Sequence, residues 1–359
     1  MTFLQNIFFN TNLTHATANE SHHSLTIKYD IGALIMVYSQ PDNRLKIIFL
    51  GTPQVAAKSL LALQQHSHLF KIILAVSQPP ARSHRNGKET PSPVHLAALE
   101  HGIPVLTPQS AKEPEFITTL QELKPDLCIT AAYGNYLPKS FLAIPKYGTL
   151  NIHPSLLPFY RGAAPVQRCI ENGDTQTGVS ILLSVAAMDA GPVLVQEKLI
   201  IDENIKSPEL LDVLFKKGTE LLIKSIPNYV SGKMTPYEQN HNNATHAEKI
   251  KPEEAKLDLN INATTLHNKV RAFAGWPGTK LPISLNEDVI EMKIITTKVS
   301  KNTLNLKIGE LFFTPQSLCL GCGNNSILEV LEIQLPGKKP VTAKDFQNGI
   351  RNQELKINF

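Results

Sequence analysis

Cysteine is scarce: four occur in 359 residues. Cys128 and Cys169 stand alone, and the dense even spacing of a secreted disulfide framework is missing, so a reducing compartment fits better. Cys319 and Cys322 form one CxxC with neither a second pair nor a flanking histidine. Half the ligands of a closed zinc site are therefore absent; the motif reads as a turn at a strand end, and no metal is expected. Long apolar runs are missing too. The longest in the first 44 residues, Ile31 to Tyr38, falls far short of the roughly 20 residues that span a bilayer, so no membrane role is expected. Gly51 stands alone where a dinucleotide site would show G-x-G-x-x-G, and a dinucleotide is poorly supported. Charged residues are 18% of the chain and the net charge is +4, a mild basic balance that permits a polyanionic partner without demanding one.

What is present suggests two domains, each large enough for its own core. Residues 1–44 are rich in Asn, Thr, Ser and His and poor in acids, and read as an extension. They suit a targeting segment in being poor in acids but not in being poor in arginine; a disordered tail, or a true start at Met36, are the other readings. From Lys46 the pattern is regular. Apolar strands at Lys46–Leu50, Lys71–Val76, Asp126–Ala131 and Thr149–Ile152 alternate with helices at Val55–Leu63, Val94–Glu100 and Phe116–Leu123. Continuous apolar strands alternating with helices predict an α/β fold, a mostly parallel sheet with helices on both faces. Ligands bind such sheets at the carboxyl ends of the strands.

Two β-type runs, Gly178–Val185 and Val193–Ile201, and a helix from Ser207 to Tyr229 complete the first domain, 45–230, with Ser207 as N-cap. Residues 231–254 are polar and read as a linker. Beyond them, a helix at Thr264–Phe273 and short alternating runs at Val289–Thr297, Glu310–Phe313 and Ile327–Ile333 predict a small C-terminal β-barrel over 255–359.

Chemistry concentrates in LNIHPSLLPFYRGAAPVQ, residues 150–167. Residues i and i+2 of a strand project to one side, so Asn151 and His153 point together where the strand ends, and Pro154 and Pro158 stiffen the turn beyond it. Asp189 sits in a turn beside Gly191 and Pro192; taken singly, it is equally an ordinary turn aspartate. The long loop Gln78–Ser92 carries Arg82, Arg85 and Lys88 and is either a solvated connection or a functional loop. Lys338, Lys339, Lys344 and Arg351 cluster near the C-terminal end, as a phosphate-contacting face or as plain surface residues.

In order along the chain, IIFLGTPQVA, PSPV, AAYGNYLPK, LNIHPSLLPFYRGAAPVQ, MDAGP, KVRAFAGWPGT and QLPGKK resemble the methionyl-tRNA formyltransferase family, and most nearly its organellar, plant-type members. The SLLP and RGAAP block is shared with other enzymes that carry formyl groups, whereas AFAGWPGT and the second domain point to the acceptor. The resemblance implies a Rossmann-like catalytic domain and an OB-like, tRNA-binding C-terminal barrel. It implies formyl transfer from 10-formyltetrahydrofolate to methionyl initiator tRNA by a monomer in the mitochondrion, or in a plastid. By the same resemblance Asn151 and His153 stabilise the oxyanion and Asp189 takes the proton of the attacking amine. The folate lies against Ala132, Tyr133, Gly134 and against Ser155, Leu156, Leu157, Pro158; the tRNA is met by Arg82, Arg85, Lys88, Lys338 and Lys339. Formyl transfer to a small amine such as glycinamide ribonucleotide or an amino sugar, a deformylase or hydrolase, and a catalytically dead RNA-binding relative are the alternatives. The first group lacks the linker and β-domain, and the last would be expected to lose Asn151, His153 or Asp189.

Overall fold

The structure, a computed structural model, describes residues 14–15, 28–29, 42–82, 89–301, 305–351 and 353–358. It divides into two compact units: Met1–Ile152 with Leu182–Ala187 and Leu222–Thr235, and His153–Ile181 with Met188–Leu221 and Pro236–Phe359.

The first unit is built on parallel strands β1 (Leu45–Gly51), β2 (Phe70–Val76), β3 (Val105–Leu106), β4 (Leu127–Ala131) and β5 (Thr149–His153). Their order across the sheet is β5-β4-β1-β2-β3, every pair parallel. Successive side chains of a strand face opposite sides, yet Ile47, Ile48, Phe49 and Leu50 are all 0% exposed. Both faces of β1 are therefore covered, which is why these strands read as unbroken apolar runs. Helices α1 (Gln54–Gln65), α2 (Pro93–Glu100) and α3 (Pro114–Leu123) follow strands, and the short α4 (Lys139–Leu142) precedes β5. Phe116, Leu120 and Leu123 of α3 share a core with Ile48, Leu50 and Leu74. Ser92 caps α2 by accepting the His95 N–H at 3.0 Å. At the carboxyl ends of β1 and β4 the Thr52 hydroxyl donates to the Tyr133 carbonyl at 2.9 Å. Asp42 and Arg44, within the expected extension, belong to this unit: Asp42 lies 3.2 Å from Lys71 and Arg44 donates to Ser67 O. The alternative start at Met36 lies outside the described residues. Thr14–His15 pairs antiparallel with Lys28–Tyr29.

The second unit contains α5 (Pro165–Glu171) and the neighbouring strands β6 (Gln176–Leu183) and β7 (Val193–Ile200). Helix α6 runs from Ser207 to Val230. Its Leu210 N–H bonds Lys206 O, so Ser207 is the first helical residue and not the cap that the sequence suggests. Of residues 231–254, expected as a polar linker, those from 236 on belong to this unit and are held in place within it. Tyr237 exchanges backbone bonds with Val193, His246–Ala247 pairs parallel with Arg161–Gly162, and Glu254 takes a bidentate bond from Arg168. Polar composition concealed this, because two of these attachments run through backbone groups and the third through the Arg168 guanidinium.

Helix α7 (Ala263–Ala272) leads into an antiparallel sheet of β8 (Thr279–Leu285), β9 (Asp288–Val299), β10 (Leu311–Phe313), β11 (Leu318–Cys322), β12 (Ser326–Gln334), β13 (Val341–Thr342) and β14 (Leu355–Ile357). The order β10-β11-β12-β9-β8-β14, with β13 on β12, forms a nearly closed barrel-like layer. Leu266 and Val270 of α7 and Phe346 of α8 (Ala343–Gly349) fill its core. The CxxC expected at a turn lies inside β11, all five of whose residues are buried. Gly321 is required there, since a Cβ would stand 2.0 Å from Lys307 O. Burial drives the Cys322 thiol up to about 11, and among the described residues no group of three or more His, Cys, Asp or Glu could hold a metal ion. No described helix is long and apolar enough to cross a membrane.

Candidate active site

Strand β5 carries Asn151 and, two residues on, His153 at its carboxyl end. Asn151 faces Thr130 across the parallel register of β4 and β5, and the Thr130 hydroxyl donates to Asn151 Oδ1 at 2.8 Å. That bond orients the amide: with Oδ1 engaged, Nδ2 and its two protons lie on the other branch.

His153 is 4% exposed. Its Nε2 lies 3.0 Å from the Tyr160 carbonyl oxygen. A carbonyl only accepts, so Nε2 carries a proton. Nδ1 then turns to Asp189, 3.7 Å from Oδ1. A neutral ring would present a lone pair to that carboxylate. A proton on Nδ1 as well makes the ring an imidazolium paired with Asp189, and a substrate proton or water between them serves the same purpose.

Asp189 is itself held from several sides. Gly162 N–H donates to Oδ2 at 2.8 Å. The residue has φ +50°, a left-handed conformation that costs a non-glycine residue about 1 kcal/mol or more and persists where the surroundings enforce it. Enforcement comes from the turn's carbonyls: Gln239 Nε2 donates to Asp189 O at 2.8 Å and to Gly191 O at 2.7 Å. Gln239 Oε1 accepts from Arg161 Nε and Nη2, and Arg161 Nη2 also lies 2.9 Å from His241 Nδ1.

The stretch Tyr160–Gly162 thus serves His153, Gln239 and Asp189 in turn. Tyr160 is anchored by its hydroxyl, which donates to Asp174 at 2.7 Å; burial, more than that bond, pushes its phenol far above the ordinary range. Gly162 has φ +123°, and a Cβ there would stand 2.7 Å from Ala247 O, so only glycine brings its N–H to Asp189 in this way.

Of the residues expected at the folate, Ala132 and Gly134 are exposed with positive φ, and Tyr133 is 4% exposed with its carbonyl taken by Thr52 and Gln78. In the other segment Ser155 N–H bonds His153 O, and Leu157 gives its N–H to Ser180 and its carbonyl to Gln196. The backbone N–H groups of 155 and 157 are therefore engaged within the protein. Of the residues expected at the tRNA, Arg82 lies in the segment Ala81–Arg82, which pairs antiparallel with Glu89–Thr90 at the base of the basic loop. The Arg82 side chain, Arg85 and Lys88 lie outside the described residues. Lys338 and Lys339 are exposed between β12 and β13, where the Lys338 carbonyl accepts from Gln334.

Thr130, Tyr160, Arg161, Gly162 and Gln239 were not singled out by sequence. Arg161 and Gly162 open the RGAAP block and Tyr160 precedes it, but nothing marked Gln239, which sits in a polar stretch.

Comparison with known proteins gives this arrangement a family. A model described as formyl transferase matches residues 45–226, and the formyl transferase C-terminal domain matches residues 249–351. Methionyl-tRNA formyltransferase of Methylococcus capsulatus is 38% identical over 304 residues, covering 85% of this chain and 96% of the relative. That of Roseiflexus castenholzii is 36% identical over 309 residues, 86% of this chain and 96% of the relative. Among solved structures, the sugar 3N-formyl transferase WlaRD, in the presence of dTDP and 5-N-formyl-THF, has a TM-score of 0.60 at 17% identity over 83% of this chain and 100% of its own. HypX from Aquifex aeolicus, in complex with tetrahydrofolic acid, has 0.57 at 16% identity over 86% and 48%. Both share the fold. With both formyl transferase regions matched in order, and relatives at this identity spanning nearly their full length, the chain belongs to the methionyl-tRNA formyltransferase family.

Proposed function

We propose that this protein transfers the formyl group of 10-formyltetrahydrofolate to the amino group of methionyl initiator tRNA, as a monomer serving translation initiation in a mitochondrion or plastid. The observation that carries the chemistry is the His153–Asp189 pair, held at 3.7 Å with His153 Nε2 committed to Tyr160. Asp189 accepts a proton from the acceptor's ammonium, directly or through one water. The freed amine attacks the formyl carbon, and its oxygen becomes negative. Donors that strengthen as that charge grows stabilise the transition state more than the ground state. Asn151 Nδ2 is one such donor and protonated His153 Nδ1 the other. Collapse of the tetrahedral species restores the carbonyl and breaks the bond to the folate nitrogen, which takes up the second proton lost by the attacking amine and leaves as tetrahydrofolate.

Acceptor identity is supported by the relatives' names and by the C-terminal barrel. We assign the basic loop carrying Arg82, Arg85 and Lys88, and the exposed Lys338 and Lys339, to phosphates of the tRNA. The deciding assay offers 10-formyltetrahydrofolate with charged initiator tRNA, free methionine, glycinamide ribonucleotide or an amino sugar. Turnover with the charged tRNA alone is expected; turnover with a small amine and none with the tRNA overturns the reading. A fluorescent fusion of residues 1–41 accumulating in mitochondria or plastids supports the location, and a diffuse signal counts against it.

A further inference from the structure

We propose that Gln239 is a positioning residue for Asp189: its buried amide sets the 189–191 turn so that the carboxylate faces His153. The inference rests on the reading of Asp189 as the proton acceptor. Gln239 is 6% exposed, and all four of its hydrogen-bonding positions are used, two donated to Asp189 O and Gly191 O and two accepted from Arg161. A buried amide so fully engaged has one orientation. It therefore couples the turn to Arg161, whose neighbours Tyr160 and Gly162 hold His153 Nε2 and Asp189 Oδ2.

The segment around Gln239 is fastened on both sides. Before it, Tyr237 bonds Val193 through its backbone and Gln196 through its hydroxyl. After it, Thr245 accepts the Tyr160 N–H on its hydroxyl and the Arg161 N–H on its carbonyl. The strap from 237 to 247 thus runs from one end of the Asp189 turn to the Tyr160–Gly162 stretch, whose Tyr160 carbonyl bonds His153 Nε2. Asp189 φ at +50° is the conformation this strap maintains. Without the two donated bonds, the turn's carbonyls lose their buried partner and the residue relaxes toward negative φ.

The test is a double-variant cycle on Gln239 and Asp189, with kcat and KM for both substrates and thermal melts for every protein. Gln239→Glu keeps the size and the acceptor for Arg161 while replacing the two donors by an oxygen facing two carbonyls; Gln239→Ala removes all four bonds. We expect either single variant to lower kcat about 10- to 100-fold, the scale of a misplacement near 1 Å, with each KM changed less than about threefold. In an Asp189→Ala background the same changes should lower kcat less than about threefold further, because the group being positioned is gone. Additive losses, or an unchanged kcat in folded Gln239→Glu, overturn the inference while leaving Asp189 as proton acceptor. Full activity in Asp189→Ala removes that reading and this inference together. Should Gln239→Ala fail to fold, Gln239→Glu carries the cycle.

Discussion

The Tyr160 carbonyl accepts a hydrogen bond from His153 Nε2 at 3.0 Å, and this backbone contact decides which ring nitrogen is turned to Asp189. Only Nδ1 remains toward Asp189, so any hydrogen bond that His153 gives in the reaction comes from Nδ1. The ring can give it only while doubly protonated.

Replacing Asn151, His153 or Asp189 by Ala is expected to lower kcat about 100-fold or more while leaving the fold intact, the scale of losing an oxyanion donor or acid–base group. Thr130→Val tests the orientation of the amide separately. It removes the 2.8 Å bond to Asn151 Oδ1 and should cost about 10-fold in kcat, less than Asn151→Ala. Steady-state assays with melting curves check both; equal turnover in Asn151→Ala and wild type would exclude the amide from the chemistry.

Gly162→Ala should damage stability and turnover together. The added Cβ meets Ala247 O at 2.7 Å at φ +123°, a conformation costing a non-glycine residue about 1–3 kcal/mol. Relief of that clash moves the N–H that bonds Asp189. A lowered unfolding midpoint with kcat down about 10-fold or more is expected, and an alanine variant with the wild-type melt would contradict the packing.

His267 makes stability depend on pH. Burial, its largest influence, lowers its pKa below the ordinary 6.5, against a smaller raising effect of the bond to Glu203. Its Nε2 donates to Glu203 O, so neutral Nδ1 accepts from the Thr297 hydroxyl at 2.9 Å. The unfolded chain therefore binds the proton first. Stability is full above about pH 6.5 and falls as pH drops from there toward the folded-state pKa, at up to about 1.4 kcal/mol per pH unit for one proton. Denaturation at pH 7.5 and 5.5 should show a smaller loss in His267→Gln than in wild type.

Neutralising Arg82 and Arg85 together should weaken tRNA binding, flatten its salt dependence and leave the folate dissociation constant almost unchanged, because phosphate contacts act through counterion release. Titrations of both ligands at two salt concentrations distinguish this from a folate role, in which the two effects would be exchanged.

The parallel sheet was legible because β1 and its neighbours are buried on both faces, which leaves unbroken runs such as Ile47–Leu50. The CxxC was misread for a related reason: Leu318–Cys322 is buried throughout, so it shows no alternation, and its Gly321 imitates a turn. Asn151, His153 and Asp189 stood out because side chains carry chemistry in their names. Their supports did not, since Tyr160 and Gly162 act through backbone atoms. Gln239 bonds carbonyls 48 and 50 residues away, a relation that only the folded chain creates.

The burial of the four cysteines makes them reporters. Cys128, Cys169, Cys319 and Cys322 are each at most 1% exposed, and burial raises the pKa of every one of these thiols. A thiol reagent therefore reacts only when its site opens. Pulsed alkylation followed by mass spectrometry would time three regions in one native chain: the parallel sheet through Cys128, α5 through Cys169, and the barrel through Cys319 and Cys322. The order of labelling would rank their opening without any introduced probe.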